Sequence, residues 1–304
     1  KWGDNVLNVE RLRWFDRWLK NVNTGVENDP SVRIFVMGGG SGKIDRSGRI
    51  DHGGVWRNES EWPLRRVVDT PYYLIDGGAL SKQIPLQSKL ATNWIHDPKN
   101  PVPSISGNVT GFYEWIVLPE DIDGAYVPQR ARMRSLIPDG PLHQIETDLT
   151  VVAKNRPADT PPLLADRKDV NVFQTEPLME DLEITGSVIA NLWISSDKVD
   201  TDFTAKLIDV YPPSEGFPEG FHLPLEDSIQ RVRFRQGYEF EDFMKPGQIY
   251  QVNIELPPVS NLFVKGHRIR IDIASSNFPR FDVNPNTGEP IGQHTGSEVA
   301  TNTV

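Results

Sequence analysis

The sequence has no cysteine among its 304 residues, which excludes disulfide bonds, thiolate metal sites and cysteine nucleophiles. It also lacks long apolar runs, since no stretch approaches the ~20 residues that a membrane-spanning helix needs. The polar start of the chain predicts no signal peptide. Basic residues are in the minority, with 32 Lys and Arg against 42 Asp and Glu, for a formal net charge of −10. Neither nucleic acid nor an anionic membrane is therefore expected as a partner.

Glycine and proline, by contrast, are abundant, with 24 and 25 residues. The chain is 38% hydrophobic and 24% charged, which is typical of a globular protein with a buried core. So many turn-forming residues favour a fold of short strands over a helical one.

Only one segment, residues 8–22, predicts a helix. Asn8 is the expected N-cap, and Glu10 places a negative charge in the first turn, where it suits the helix dipole. Residues at spacings of three and four form one apolar stripe, which a pair of tryptophans widens: Leu12, Phe15, Leu19 and Val22, with Trp14 and Trp18. A face this aromatic must pack on something, either the body of this chain or a partner.

The remainder of the chain predicts strands. Four short candidates in the first part are residues 33–37, 72–75, 115–118 and 169–174. Four clearer ones follow at 184–194, 230–235, 248–256 and 267–274, where polar and apolar residues alternate. The apolar positions predicted to face the core are Ile184, Gly186, Val188, Ala190, Leu192, Ile194, Val232, Phe234, Tyr250, Val252, Ile254, Leu256, Ile269, Ile271 and Ile273. The polar positions predicted to face outward include Arg231, Arg233, Arg235, Arg268, Arg270 and Asp272. Alternating strands without intervening helices predict an all-β, antiparallel jelly-roll β-sandwich.

The glycine-rich stretch "MGGGSGK", residues 37–43, resembles two catalytic motifs but fits neither. A phosphate-binding loop requires glycine where Met37 stands and a hydroxyl residue where Ile44 stands. A nucleophile elbow around Ser41 requires glycine where Lys43 stands, and a helix after it. The stretch is therefore predicted to be a turn.

No catalytic, cofactor-binding or metal-ligating residue is predicted from the sequence. The six histidines, His52, His96, His143, His222, His267 and His294, show no helical metal-ligand spacing and are interpreted as surface or hydrogen-bonded side chains. "EDIDG" at residues 120–124 lacks two calcium ligands and is interpreted as a polar turn. The arginines of the outward positions are expected to pair across strands with carboxylates such as Asp272 and Glu255. These features alone indicate a binding or accessory module.

The second half of the chain resembles one enzyme family. "EITGSVIANLWISSDKVDTDFTAKLIDVYP", "IQRVRFR", "PGQIYQVNIEL" and "FVKGHRIRIDIASSNFPRFDVNPNTG" are similar to the C-terminal domain of the cocaine-esterase and X-prolyl dipeptidyl-peptidase family of serine hydrolases. "VRIFVMG", "WRNESEWP", "YYLIDGGALS" and "NPVPSISGN" resemble the start of that domain, and "FDRWLK" resembles the last helix of the family's α/β-hydrolase domain.

This resemblance implies a galactose-binding-like jelly roll at residues 26–304, preceded at 1–25 by the terminal helix of an α/β-hydrolase domain. The family's Ser-Asp-His triad would lie upstream of Lys1, so no catalytic role is transferred to any residue here. The implied partners are that upstream domain and a small ester, amide or X-Pro peptide substrate. The implied function is to support the catalytic domain and to line the substrate cleft with the "NPVPSISGN" loop, without a cofactor. A free-standing carbohydrate- or ligand-binding jelly roll remains an open alternative, as does a purely structural domain or an oligomerisation domain that forms a homo-oligomer.

Overall fold

A computed structural model describes residues 4–46, 48–85, 91–108, 113–116, 132–135, 137, 140–145 and 163–304. This part of the chain contains one α-helix and fourteen strands. Within it, no helix combines the length and the apolar content that a membrane span requires. The segment at 120–124 lies outside the described residues.

The helix α1 spans Asp4–Lys20. The strands are β1 (Val32–Gly38), β2 (Gly54–Glu59), β3 (Tyr73–Ile75), β4 (Ala79–Ser81), β5 (Asn93–His96), β6 (Tyr113–Ile116), β7 (Arg132–Ser135), β8 (Asn171–Gln174), β9 (Leu182–Ser196), β10 (Asp202–Val210), β11 (His222–Arg231), β12 (Tyr250–Phe263), β13 (Arg268–Ala274) and β14 (Ala300–Thr303).

Two six-stranded sheets form the sandwich. The first sheet has the strand order β2-β1-β12-β9-β14-β5, and the second has the order β11-β10-β13-β8-β4-β3. The predicted all-β sandwich is thus confirmed. The sheets are mixed rather than purely antiparallel, however, because β1 runs parallel to β12 and β4 runs parallel to β8.

The core lies between the sheets and comes mainly from the strands whose alternation was clearest. Its buried members include Leu192, Ile194, Phe203, Leu207, Val252, Ile254, Leu256, Ile269 and Ile273. Ile184, Val188, Ala190, Tyr250 and Ile271 are partly buried and pack against this cluster, so the predicted inward faces of β9, β12 and β13 are confirmed. Trp94 packs edge-on against Phe203 across the sandwich, with ring centroids 5.6 Å apart.

Residues 230–235 do not form the predicted strand. β11 ends at Arg231, and Val232–Phe234 forms a turn of 3-10 helix. The side chain of Asp200 accepts hydrogen bonds from the backbone N–H of Arg233 at 3.0 Å and from its Nε at 2.8 Å. This buried carboxylate replaces a neighbouring strand as the partner of the backbone, so the chain turns although the sequence alternates.

The helix is confirmed, but it begins at Asp4 rather than at Asn8, so the predicted N-cap is wrong. The apolar stripe is open to solvent: Leu12 is 60%, Trp14 53%, Phe15 53%, Trp18 54% and Leu19 77% exposed. The helix is held to the segment after it by polar groups instead, through the ion pairs of Arg13 with Asp29 and Arg17 with Glu27. The sandwich therefore leaves the aromatic face of α1 uncovered.

The glycine-rich stretch is a turn, as predicted. β1 ends at Gly38, whose φ of 99° suits glycine and whose Cα lies against the Leu262 carbonyl so closely that no Cβ fits. The chain then folds back on residues 51–52, because Gly40 N donates to the His52 carbonyl and Gly42 N donates to the Asp51 carbonyl, both at 3.0 Å. Ser41 donates its hydroxyl to the Asp51 carboxylate at 2.6 Å, which is a role within the turn.

The outward face of β13 is buried, contrary to the expectation for a sheet with one solvated side. Arg270 and Asp272 are 1% and 6% exposed. Arg270 donates to both oxygens of Asp272, at 2.6 and 2.7 Å, along the same strand rather than across strands. Glu255 is exposed and has no ion pair within the described part of the chain. The prediction that an arginine of a neighbouring strand pairs with Glu255 is therefore wrong.

The burial of Arg270 and Asp272 predicts how much the free energy of unfolding falls when Arg270 is removed. Replacing Arg270 with Ala leaves the Asp272 carboxylate buried without its partner and is expected to lower the free energy of unfolding by about 3–5 kcal/mol. Ile273→Ala, a loss of core volume, is expected to cost a similar ~2–5 kcal/mol. Arg268→Ala is the control, because Arg268 is partly exposed, pairs at 3.5 Å with an exposed Glu176 and donates one hydrogen bond to the Thr175 carbonyl, so its loss is expected to cost only about 1 kcal/mol. Urea unfolding measures all three, and an Arg270→Ala cost as small as that of Arg268→Ala would contradict the burial.

Candidate functional site

The loop at residues 100–108, which contains "NPVPSISGN", packs on the outer face of the second sheet. Val102 forms a small apolar cluster there with Val170 and Ala274, separate from the main core. The loop is tightly packed for a segment without secondary structure, since Val102, Ser104, Ile105 and Ser106 are each at most 4% exposed. A buried loop needs partners for its backbone groups, and this one finds most of them in one neighbouring segment.

That neighbouring segment follows β13, at residues 275–280. Ser276 Oγ accepts a hydrogen bond from Val102 N at 2.8 Å, and Phe278 N donates to the Val102 carbonyl at 2.9 Å. Ser104 N donates to the Phe278 carbonyl at 2.7 Å, and Ser104 Oγ donates to Asn277 Oδ1 at 2.8 Å. The two segments therefore pair like short parallel strands and fix the position of the loop.

The far end of the loop is fixed by charged groups. Asn108 accepts a hydrogen bond from Arg280 and donates one to the Glu226 carboxylate. Arg280 also lies 2.5 Å from Asp227 Oδ1, as an ion pair without hydrogen-bond alignment at that oxygen. Asn277 donates to the other oxygen of Asp227 at 3.0 Å. Asn108 thus joins the loop to Glu226 of β11 directly and to Asp227 through Arg280.

A buried lysine supports the middle of the loop. Lys206 Nζ donates to Gln144 Oε1 at 3.1 Å, and Gln144 Nε2 donates to the Ile105 carbonyl at 2.7 Å. Lys206, Asp227 and Asp272 also line a small cavity. Its volume of about 10 Å³ is roughly the space that one water molecule needs. Burial lowers the pKa of Lys206, although Asp227 and Asp272 oppose the shift.

The electrostatics of this site follow from burial. Loss of contact with water, reinforced by the neighbouring Asp227, raises the pKa of Glu226 to about 7. Burial and the nearby Arg270 lower the pKa of His222 to about 4. Glu226 is therefore the acidic group of this site that changes charge near neutral pH.

Most of the histidines are hydrogen-bonded or exposed side chains, as interpreted. His267 Nδ1 pairs with Asp209 Oδ1 at 2.8 Å, His143 Nδ1 accepts from the backbone N–H of His222 at 2.8 Å, and His222 Nδ1 lies 3.0 Å from Arg270. His96 is buried in β5, His52 is half-buried, and His294 is exposed. Within the described ranges, no group of three or more His, Asp or Glu side chains is arranged to hold a metal ion.

The residues that hold the loop were not predicted as site residues. Lys206, Asp227 and the pair Asn277 and Arg280 come from three separate parts of the sequence. One signal did exist in "DFTAKLIDV", because a lysine flanked by apolar residues in a strand must find a polar partner when both faces are covered. Through their hydrogen bonds, these residues hold the loop at 100–108 in one position.

The raised pKa of Glu226 predicts a pH dependence of stability. A carboxyl group whose folded pKa exceeds its unfolded value of about 4.5 contributes stability that is present below pH 4.5 and lost as pH rises through 7. Glu226→Gln keeps an acceptor for Asn108 but cannot ionise, so it is expected to be more stable than the parent at pH 8 by about 1–2 kcal/mol, allowing for partial solvent screening.

The measurement is the difference in urea unfolding between the two proteins at pH 5 and pH 8. Comparing the two proteins at the same pH removes the contribution of His222, which is common to both. That contribution has the opposite pH dependence, because the stability that His222 provides is lost as pH falls from about 6.5 to about 4. Glu255→Gln, at an exposed carboxylate of β12, is the control and should show no such difference. A pH-independent difference for Glu226→Gln would show that Glu226 is not perturbed.

Comparison with known proteins places this chain. The chain is 35% identical over 297 residues to the cocaine esterase of Rhodococcus sp. (strain MB1 Bresler), covering 95% of this chain and 41% of the relative. It is 26% identical over 289 residues to a putative serine esterase of Mycobacterium bovis, covering 91% and 37%. It therefore spans less than half the length of these relatives.

Solved structures of other proteins share the fold of this chain. A selenomethionine-labelled α-amino acid ester hydrolase matches with a TM-score of 0.59 and 27% identity, covering 82% of this chain and 37% of the other. An aminopeptidase from a marine sediment Thaumarchaeota archaeon shares the fold with a TM-score of 0.64 at 24% identity, over 96% and 41% of the two chains. The sequence model of one family, the X-Pro dipeptidyl-peptidase C-terminal non-catalytic domain, matches residues 24–304. The chain belongs to this family of non-catalytic domains.

Proposed function

We propose that this chain supports the catalytic domain of a serine hydrolase that cleaves ester, amide or X-Pro peptide bonds. In this proposal α1 docks on an upstream α/β-hydrolase domain, and the loop at 100–108 forms part of the wall of its substrate cleft. The division at about residue 25 is part of the proposal, and the family match that starts at residue 24 supports it. The observation that carries the proposal is the exposed aromatic face of α1.

Leaving the aromatic face of α1 in water has a cost in free energy. Aromatic side chains bury on the order of 150–250 Å² each when packed, and apolar burial is worth about 25 cal/mol per Å². Trp14, Phe15 and Trp18 are each more than half exposed, so covering them would contribute several kcal/mol. Because polar groups already hold α1 to residues 24–29, its apolar side is free for another domain.

The loop supports the second part of the proposal. A cleft wall must keep its shape in order to select substrates, and a loop does so only when other groups fix its backbone. The loop at 100–108 has that support from Ser276, Asn277 and Arg280. The names of the relatives, a cocaine esterase and an α-amino acid ester hydrolase, support acyl transfer as the chemistry of the whole protein.

The chain by itself is expected not to hydrolyse esters. Nucleophilic catalysis needs an activated serine beside a base. His267 pairs with Asp209 and His222 lies beside Arg270, but neither ring has a serine hydroxyl as a hydrogen-bond partner among the described residues. The test is incubation of the purified chain with p-nitrophenyl acetate and with a serine-directed fluorophosphonate probe. Stoichiometric labelling of any serine in this chain would contradict the proposal.

The aromatic face is expected to bind the upstream region of the same protein when the two are expressed separately. Trp14→Ser with Trp18→Ser should abolish that complex, and with it any hydrolysis by the mixture, because the docked apolar area is lost. Met179→Ser with Val68→Ser is the matched control, since these side chains are 81% and 80% exposed elsewhere. Sedimentation and thermal melting report the result. If the double tryptophan variant unfolds the sandwich instead, α1 belongs to this domain's own core and the docking argument fails.

A further inference from the structure

The glycine-rich stretch begins a hairpin that reaches the candidate site. The two arms of this hairpin, residues 39–46 and 48–53, are joined by backbone hydrogen bonds, such as the one that Asp51 N donates to the Lys43 carbonyl at 2.8 Å. Ile50 is 4% exposed and anchors the second arm in the main core. We call these two arms the glycine hairpin.

Two glycines allow the arms to lie close together. A Cβ on Gly40 would lie 2.2 Å from the Gly53 nitrogen, and a Cβ on Gly53 would lie 2.4 Å from the Gly40 Cα. Both distances are too short for a real Cβ, so a side chain at either position would push the arms apart. The two glycines therefore serve the packing of backbone against backbone in the glycine hairpin.

The glycine hairpin pairs with the segment at residues 140–145. Ile50 N donates to the Pro141 carbonyl at 2.9 Å, and Arg49 forms an antiparallel β-bridge with Leu142. The segment thus adds a short third strand to the hairpin. Because these contacts are made by the backbone, the position of the segment depends on the position of the second arm.

The same segment holds the loop at 100–108. The Ser106 hydroxyl donates to the Gly140 carbonyl and accepts a hydrogen bond from Leu142 N at 3.3 Å. Ser106 has a φ of 61°, in the left-handed region that residues with a side chain seldom adopt, so its conformation needs support from such contacts. Gln144 of the segment binds the carbonyl of the residue before Ser106.

We infer that the glycine hairpin positions the loop at 100–108, and that Gly40 and Ser106 are positioning residues for hydrolysis by the whole protein. The inference rests on the proposed function, in which this loop is part of the cleft wall. The loop has no helix or strand of its own, so its shape depends on the segments that contact it. Residues 275–280 are one such segment, and residues 140–145 are the other.

A purely structural role for the glycine hairpin would have a different consequence. In that case the hairpin only covers the core through Ile50, and loosening it would lower the stability of the whole sandwich evenly. The contacts favour positioning, because they lead from the second arm through Pro141 and Leu142 to the Ser106 hydroxyl. Loosening the hairpin should therefore affect the loop before it affects the strands.

The first test is amide hydrogen exchange of the full 304-residue chain, followed at the loop through the N–H groups of Ser104 and Arg280. Gly40→Ala is expected to raise the exchange rate of both by about fivefold or more, while the amide of Ile269 in β13 keeps its rate. Gly296→Ala is the matched control, because nothing lies within 4 Å of the place that its Cβ would take.

Two further variants separate positioning from general stability. Ser106→Ala removes the contact between the segment and the loop, so it should raise exchange at the loop as Gly40→Ala does, and the double variant should exchange little faster than either. Ser41→Ala removes only a hydroxyl contact with Asp51 and should give a smaller rise of the same pattern. If Gly40→Ala does not fold, Ser41→Ala decides in its place.

The second test measures hydrolysis of p-nitrophenyl butyrate by each variant mixed with the upstream region. Gly40→Ala and Ser106→Ala should raise KM about three- to tenfold with a smaller effect on kcat, because a displaced cleft wall weakens the binding of substrate more than it alters the nucleophile. Gly296→Ala should leave both constants unchanged.

Unchanged exchange at Ser104 and Arg280 in the hairpin variants overturns the inference, and so does a rise that Ile269 shares, because it would show a general loss of stability. Exchange is measured on this chain alone, so such a result leaves the proposed function standing. If exchange rises at the loop but KM does not, the glycine hairpin holds a loop that lines no cleft. The positioning role in hydrolysis is then wrong, and the cleft wall of the proposed function is wrong with it.

Discussion

The burial of charge on the outer face of the second sheet is the constraint on which the position of the loop at 100–108 depends. Every residue of β10 is buried, so Lys206 cannot reach water on either side of the sheet. A charge in that position is tolerated only when hydrogen bonds and opposite charges surround it. Gln144, Asp227 and Asp272 fulfil this role from three different parts of the chain. Apolar packing alone would close the sandwich, but it would not specify where the covering loop lies.

The same constraint links the loop to the sheet. Asp227 pairs in register with Lys206 and also engages Arg280 and Asn277, and these two side chains hold Asn108 and Ser104. Polar networks of this kind stabilise one arrangement because a displaced loop would leave several buried groups unpaired. The loop is therefore expected to keep its shape when other surface segments move. A rigid loop is what a cleft wall requires.

The sequence predicted which side chains of each strand face the core better than it predicted what covers the opposite face of the sheet. Alternation placed Ile269, Ile271 and Ile273 correctly toward the core, because the period of a strand is local information. It placed Arg270 on the opposite face but could not reveal that residues far away cover this face, since such contacts depend on the whole fold. The turn at Val232–Phe234 was missed for the same reason: Asp200, more than thirty positions earlier, captures the Arg233 backbone and side chain. The site residues likewise come together only through the topology of the second sheet.

The two outer faces of the sandwich differ because of what covers them. On the second sheet, buried arginine, lysine and aspartate side chains require a lid, and residues 100–108 and 140–145 provide it. On the first sheet, the exposed residues of β9 and β12 include amides, Ile189, Trp193 and the Glu255 carboxylate, and no buried ionic group there requires a cover among the described residues. The two faces differ because buried ionic groups need partners from covering segments, whereas exposed polar side chains are satisfied by water.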